Sequence, residues 1–270
     1  MKNNFIIDTH THIGYWPTLT LTKLNLLKSI NKYHISYTLI SFDGTEFKED
    51  NISKKFTEQI EGSKKLLSFI KRHKHMGMLV WVRPHTENNY EEVDKFIKEN
   101  IDFIHGIKFH PFCSRMKITN KKFIPYLDIA RKYNLPILVH TAGDKFSQIK
   151  YLKEVALKNP DIIFVAAHME LETDHIHAIE AMVECKNIYA DTAWVNMRTL
   201  RKLKKLNLMD RVMFGTDNPI DGEDTLNNPI YQDYFKNYIK LNRSDYNKVM
   251  YQNAMNIYKI NEKDLKTFKN

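Results

Sequence analysis

Apolar runs of six to nine residues recur along the chain, and between them lie longer stretches in which apolar residues return every three or four positions. The short runs are FIIDTH (5–10), SYTLISF (36–42), MLVWVRP (78–84), FIHGIKFHP (103–111), PILVHTA (136–142), IIFVAAHM (162–169), IYADTAW (188–194) and RVMFGTD (211–217). They are rich in Ile, Val, Phe and Tyr, and several are apolar on both faces. That is the pattern of parallel strands covered on both sides. The longer stretches TLTKLNLLKSINKY (20–33), NYEEVDKFIKEN (89–100), FIPYLDIARKYN (123–134), FSQIKYLKEVALKN (146–159) and DHIHAIEAMVEC (174–185) read as helices. Thr20, Asn89 and Asp174 suit their N-caps.

From the third run onward the strands follow one another at roughly 25–30 residues, the size of a βαβ unit. Eight such units predict an α/β fold, a (β/α)8 TIM barrel forming one domain over residues 1–270. Residues 43–60 lengthen the second interval and read as an insertion after strand 2. SDYNKVMYQNAMNIYKI (244–260) reads as a C-terminal helix closing the barrel bottom. The competing fold, an open doubly wound sheet, usually carries a glycine-rich phosphate turn after its first strand. Here that turn is THTHIG.

A barrel of this kind builds its site at the C-terminal strand ends. The first run ends with His10 and His12, two apart and so on one face. Two imidazoles in one space can hold a metal, and they can equally be ordinary polar residues at a strand end. The fourth run adds Lys108 and His110, the fifth His140, the sixth His168 and the eighth Asp217. Each has a plain structural reading; an aspartate before Asn-Pro, for example, is often a turn former. Together they place several metal-competent groups on one rim.

In this order DTHTH, GIKFHP, VHTA, AAHME, YADTAW and FGTDNP run over about residues 5–260. The set resembles the amidohydrolase superfamily of metal-dependent barrels, and most of all the amidohydrolase 2 branch that includes aminocarboxymuconate-semialdehyde decarboxylase. The resemblance implies a divalent metal held by His10, His12, His140 and Asp217. Three imidazoles and a carboxylate suit Zn²⁺, with manganese and iron as alternatives. One ion ranks ahead of two. Asp217 would bind the metal and take a proton from the water it activates, and His168 would orient the reacting oxygen or stabilise charge on it. With two ions, His168 and a carboxylated Lys108 would hold the second. Lys108 has two other readings: an ammonium for a substrate carboxylate, or a structural lysine paired with an acid such as Asp191. His110, Arg83 and Trp194 would shape the substrate pocket, Glu170 would stand behind His168, and Cys113 would be an inert buried thiol.

The resemblance implies a metal-dependent hydrolase cleaving an amide, ester or lactone in a small, carboxylate-bearing substrate. The same ligands serve a non-oxidative decarboxylase, the alternative reading. A TatD-like deoxyribonuclease also begins with HxH, but it calls for a GEIGLD-like segment where this chain has GIKFHP. A catalytically silent binding barrel is a further alternative, since fold alone does not certify activity.

Charge changes little. Lys and Arg number 41 against 32 Asp and Glu, a formal net charge of +9. The lysines are spread over helical faces such as LRKLKKLNL, without a clustered arm, so we expect a small-molecule substrate and no nucleic acid. No run of about 18 apolar residues predicts a membrane span, and the start is too polar for a secretory signal. Two cysteines, Cys113 and Cys185, fit a reducing, cytoplasmic setting. The resemblance also implies a homodimer.

Overall fold

The computed structural model describes residues 5–16, 19–44, 57–85 and 87–268. The strands are β1 (Ile7–Trp16), β2 (Leu19–Leu21), β3 (Tyr37–Gly44), β4 (Met76–Trp81), β5 (Ile104–Phe109), β6 (Ile137–Ala142), β7 (Phe164–Leu171), β8 (Ile188–Asp191) and β9 (Val212–Met213). They form one sheet in the order β2-β1-β3-β4-β5-β6-β7-β8-β9. All pairs are parallel except β1 with β2, a short hairpin that the sequence pattern did not announce. The chain after β9 then returns to β1. The N–H of Thr9 donates to the carbonyl of Phe214 (3.0 Å), that of Asp217 to His10 (2.7 Å) and that of His12 to Asn218 (2.9 Å). These bonds bring the eighth parallel strand onto the first, so the expected barrel is present. The expected insertion is visible only at its ends, because residues 45–56 lie outside the described residues.

The outer layer comprises α1 (Lys23–Lys32), α2 (Gln59–Ile70), α3 (Tyr90–Glu99), the single turn α4 (Pro111–Ser114), α5 (Ile124–Tyr133), α6 (Ile149–Lys158), α7 (Ile176–Glu184), α8 (Thr199–Lys205) and α9 (Pro229–Phe235). The cap of α1 is Thr22, whose hydroxyl accepts the N–H of Asn25 at 3.1 Å. Thr20 instead belongs to β2. Asn89 does sit at the start of α3, without a side-chain cap bond. The Asp174 carboxylate accepts the N–H of Ile176 at 3.1 Å, one residue ahead of the cap position of α7. The C-terminal helix is built of α10 (Arg243–Asn247), a π-helical turn over Lys248–Gln252, and α11 (Asn253–Tyr258). Ala254 and Tyr258, with Ile260 and Leu265 beyond them, pack on Ile7, Leu39, Leu79, Leu138, Val165 and Met213 and plug the barrel bottom.

Three register shifts interrupt the ladders. Along β1 and β3, Asp8 pairs with Thr38 but Thr11 with Ile40, so β1 carries one extra residue. Along β6 and β7, His140 pairs with Ala167 but Ala142 with Leu171, so β7 carries two. Along β4 and β5, Met78 pairs with Ile104 and Leu79 with Gly106, which makes His105 the extra residue of β5. One added residue, as in β1 and β5, reverses the facing of everything after it, whereas two, as in β7, restore the original phase beyond the irregularity.

His105 shows what one bulge does. Its Nδ1 lies 2.7 Å from the carbonyl of Tyr258 and its Nε2 2.9 Å from the Tyr37 hydroxyl. Nδ1–H therefore donates and Nε2 accepts, which ties β3 and β5 to the terminal helix. Burial lowers the pKa of this imidazole below its ordinary value. The unfolded chain takes up a proton near pH 6.5 that the folded chain refuses, so this group costs stability as the pH falls below that value. His105→Gln should lower stability by about 1–3 kcal/mol at pH 8, from loss of buried hydrogen bonds. The gap to the parent should narrow by pH 5, as read from urea midpoints; a gap that widens toward pH 5 contradicts the assignment.

Candidate metal centre

The bulge in β1 explains why His10 and His12 face the barrel interior. Ile7 pairs with Tyr37 and both pack in the lower core, so Ile7 points inward. Strict alternation from there would turn residues 9 and 11 inward and the histidines outward. The extra residue resets the phase. His12 then pairs with Ser41 and both point in, while Ile13 joins the outer core with Ile40. Asp8 fills the bulge: its Oδ1 accepts the N–H groups of His10 (3.2 Å) and Thr216 (3.1 Å), and its Oδ2 accepts the Thr216 hydroxyl. Burial pushes the Asp8 carboxyl up to about 8.

The irregularity in β7 turns His168 inward by another route, because His168 lies inside it. Ala167 packs in the inner core, so the next residue of a regular strand would face the helices. Instead His168, Met169 and Glu170 adopt φ of 68°, 50° and 67° in succession. Left-handed backbone in residues with a Cβ costs about 1–3 kcal/mol each and persists only where the surroundings fix it. Here the N–H of His168 donates to Asp191 Oδ1 (2.9 Å), that of Glu170 to the Thr141 hydroxyl (2.8 Å) and that of Gly143 to the carbonyl of Leu171 (2.9 Å). The run swings the His168 ring inward to 5.0 Å from that of His10.

The side chains then converge. His12 Nε2 lies 2.8 Å from Asp217 Oδ1, and His10 Nε2 lies 3.4 Å from the same oxygen. One ligand atom each from His10, His168 and Asp217 falls within 4.8 Å of the other two. His140 stands beside this group. Its ring stacks on His110 at 4.0 Å and meets the edge of His168 at 4.9 Å. Trp194 donates its indole N–H to Asp217 Oδ2 at 3.1 Å, so it holds the carboxylate as well as packing on Tyr231. The Lys108 ammonium, fully buried, reaches His10 Nε2 at 2.9 Å.

Burial holds His10, His12, His110, His140 and His168 below the ordinary imidazole pKa, His168 at about 4. At neutral pH these rings are uncharged and keep a lone pair. Burial alone would raise the Asp217 carboxyl, but His10, His12 and His168 beside it hold it well below the usual carboxylate range. Neutral imidazoles around a carboxylate are the protonation states a divalent cation requires. Burial lowers Lys108 to about 8.

Several residues sit elsewhere than the sequence reading suggested. Arg83 turns its guanidinium to the carbonyls of Gly44 and Thr57, and so fastens the two described ends of the segment after β3 instead of facing the histidines. Glu170 turns away from the centre, and its Oε1 accepts the N–H of Ile149 at the start of α6. Asp191 pairs with His10 Nδ1 at 2.8 Å, not with Lys108. His110 lies between Trp81 (5.1 Å, stacked) and His140, and its Nδ1 accepts the N–H of Cys113. The Cys113 thiol is buried and pushed well above its ordinary pKa, as an inert thiol should be. Trp81, His110 and His140, with Trp16 and Phe112 around them, form an aromatic wall at the mouth.

Asp8 and Ser41 were missed by sequence reasoning. Ser41 Oγ lies 2.9 Å from His12 Nδ1. A signal for Asp8 existed, since it stands two residues before His10 in DTHTH, but only the bulge reveals its use. Glycine at position 215 lets the chain after β9 close on this pair of strands. A Cβ there would lie 3.1 Å from the Cβ atoms of both His10 and Asp191.

The chain matches the family model described as amidohydrolase over residues 7–260. No curated protein matches it. Among solved structures it is similar to a manganese-bound 5-carboxyvanillate decarboxylase from Novosphingobium aromaticivorans, with a TM-score of 0.72 and 10% identity over 95% of this chain and 97% of that one. A 2,6-dihydroxybenzoate decarboxylase from Rhizobium gives a TM-score of 0.69 and 13% identity over 95% and 99%. A probable 2-pyrone-4,6-dicarboxylic acid hydrolase from Acinetobacter baumannii, crystallised with citric acid, gives 0.64 and 12% over 94% and 99%. With a continuous match from the first strand to the terminal helix, this chain belongs to the amidohydrolase family and is an enzyme.

Proposed function

We propose that the enzyme uses one divalent metal ion to cleave a bond at a carbonyl or carboxyl group of a small, carboxylate-bearing substrate. The observation that carries this reading is the approach of Asp217 to within 2.8 Å and 3.4 Å of the His12 and His10 Nε2 atoms, far apart in the chain and at one end of the barrel. His10, His12 and Asp217 would hold the ion, with His140 and His168 as the neighbouring donors. The donor set fits zinc, and manganese is the second choice. When bound, the ion supplies Lewis-acid polarisation of the substrate oxygen and acidifies water.

The chain's own residues do the rest. The Asp217 carboxylate, steadied by the indole N–H of Trp194, accepts a proton from the attacking water on its free lone pairs. His168, neutral at pH 7, directs a nitrogen at the reacting oxygen and orients it. The Lys108 ammonium offers charge to a substrate carboxylate beside the reacting carbon. The stacked rings of Trp81, His110 and His140 present their edges and outer faces to a flat substrate. This arrangement serves hydrolysis of an amide, ester or lactone.

Non-oxidative decarboxylation is the second reading. It is favoured by the two decarboxylases among the similar structures, one of them with manganese bound. The same carboxylate and imidazoles would then hold the acid while CO2 departs and a proton replaces it. We further propose that the protein acts as a single domain in the cytoplasm, as a homodimer, on small molecules and not on nucleic acid. No helix among the described residues is long and apolar enough to cross a membrane.

Asp217→Asn should lower turnover by a factor of about 10²–10⁴ with an unchanged circular dichroism spectrum; full activity in the variant removes Asp217 from the reaction. Treatment with a chelator should abolish turnover, and Zn²⁺ or Mn²⁺ should restore it. Activity that survives complete metal removal overturns the metal reading. A panel of carboxylated lactones, amides and aromatic acids, followed by mass spectrometry, separates the two reactions: hydrolysis adds water to the substrate mass, decarboxylation removes CO2.

A further inference from the structure

Asp191, at the end of β8, is fully buried. Its two oxygens face different partners. Oδ2 lies 2.8 Å from His10 Nδ1. Oδ1 accepts the N–H of His168 at 2.9 Å and the N–H of Ala193 at 3.1 Å. One side chain thus touches the ring of one candidate ligand and the backbone of the bulge that delivers another. The remaining contacts of His10 agree with this division. A carboxylate on Nδ1 places the ring proton there, which leaves Nε2 as the acceptor toward the Lys108 ammonium at 2.9 Å. Gly215 leaves the close approach between these strands open, since a Cβ there would lie 3.1 Å from the Cβ atoms of both His10 and Asp191.

We propose that Asp191 is a positioning residue that fixes the tautomer of His10 and the left-handed turn at His168 together. Through one carboxylate, the lone pair that would bind the metal and the imidazole that would meet the substrate are set as a unit. This rests on the metal-centre reading for the purpose of the pairing, while the tautomer itself is a property of the protein alone. A carboxylate is the group that can do both, because it accepts on both oxygens. An asparagine has one accepting oxygen and one donating nitrogen. If its NH₂ faces His10, the ring must accept at Nδ1, and the proton moves to Nε2, where the metal lone pair was. If its NH₂ faces the backbone, it meets the N–H groups of His168 and Ala193 donor to donor, and the turn opens. A carboxylate behind a metal-binding imidazole is worth about 10–100-fold in metal affinity.

The test combines two readouts on the full chain. In metal-free protein with ¹⁵N-labelled histidine, long-range ¹H–¹⁵N NMR should show His10 protonated at Nδ1. Asp191→Asn should move that proton to Nε2 or shift the His168 backbone amide. In competition with a chromophoric chelator, Asp191→Asn should weaken Zn²⁺ binding by about 10–100-fold. Ser41→Ala removes the contact to His12 instead and should leave the His10 tautomer in place. A His10 protonated at Nε2 in the parent protein overturns the proposal, and does so without any variant having to fold. Unchanged tautomer, unchanged His168 amide and Zn²⁺ affinity within twofold in a folded Asp191→Asn also overturn it. If the parent binds no divalent ion, the proposed function fails, and the NMR result still decides the role of Asp191.

Discussion

The pleat of a β-strand turns every second side chain toward the barrel axis, and a strand that fills the lower core in that rhythm must keep it unless a residue is added. In β1 one residue is added between Asp8 and Thr11, and in β7 two are added between Ala167 and Leu171, the stretch that holds His168. Below each bulge the inward positions carry Ile7, Val165 and Ala167, which pack on the plug formed by Ala254 and Tyr258. At it and above it they carry His10, His12 and His168. The same strands therefore build a dry floor and a polar rim, and neither has to be weakened for the other. The remaining strands need no such shift at the rim, because Leu138 and His140 already fall two apart, as do Gly106 and Lys108.

A bulge frees backbone groups in a place with no water, and the buried acids of this protein take them up. Asp8 receives the N–H of His10 at the first bulge, and Asp191 receives the N–H of His168 at the second. Both also hold the closing segment or its neighbours, Asp8 through Thr216 and Asp191 through His10. Burying carboxylates is costly unless they are fully hydrogen-bonded. Several hydrogen bonds to each meet part of that cost, while burial still raises both acids above the usual carboxylate range. The site and the closure of the barrel share the same hydrogen bonds, so a change that loosens one loosens the other.

The imidazoles themselves are kept uncharged by the same burial, while the Asp217 carboxylate stays ionised among them. Lys108 sets a cation against His10 Nε2 in the centre of the group. Flat rings stand beside this group. Trp81, His110 and His140 stack one on another, and Trp194 belongs both to the mouth and to Asp217. Aromatic walls around a small polar centre are the usual composition of a small-molecule site.

Much of this was legible along the chain. All eight predicted parallel strands are present, the terminal helix plugs the bottom, and the residues proposed for the rim do share one end of the barrel. Those features depend on local apolar runs and on the size of a βαβ unit, which a sequence displays directly. Helices α2 and α9 and the hairpin strand β2 were not read, because their apolar residues are sparse or interrupted by Gly, Ser and Pro. The facing of the histidines was a different matter. Period two relates His10 to His12 but cannot say which side they share, since one added residue reverses the answer. Glu170 and Arg83 show the same limit: each stands beside a rim residue in sequence, yet one caps α6 and the other binds the carbonyls of Gly44 and Thr57. The sequence by itself determined which strands exist and which chemistry stands at their ends. The phase of each strand, and the buried acid that answers each bulge, were decided by the tertiary structure, because both depend on hydrogen bonds between residues as far apart as Asp8 and Thr216.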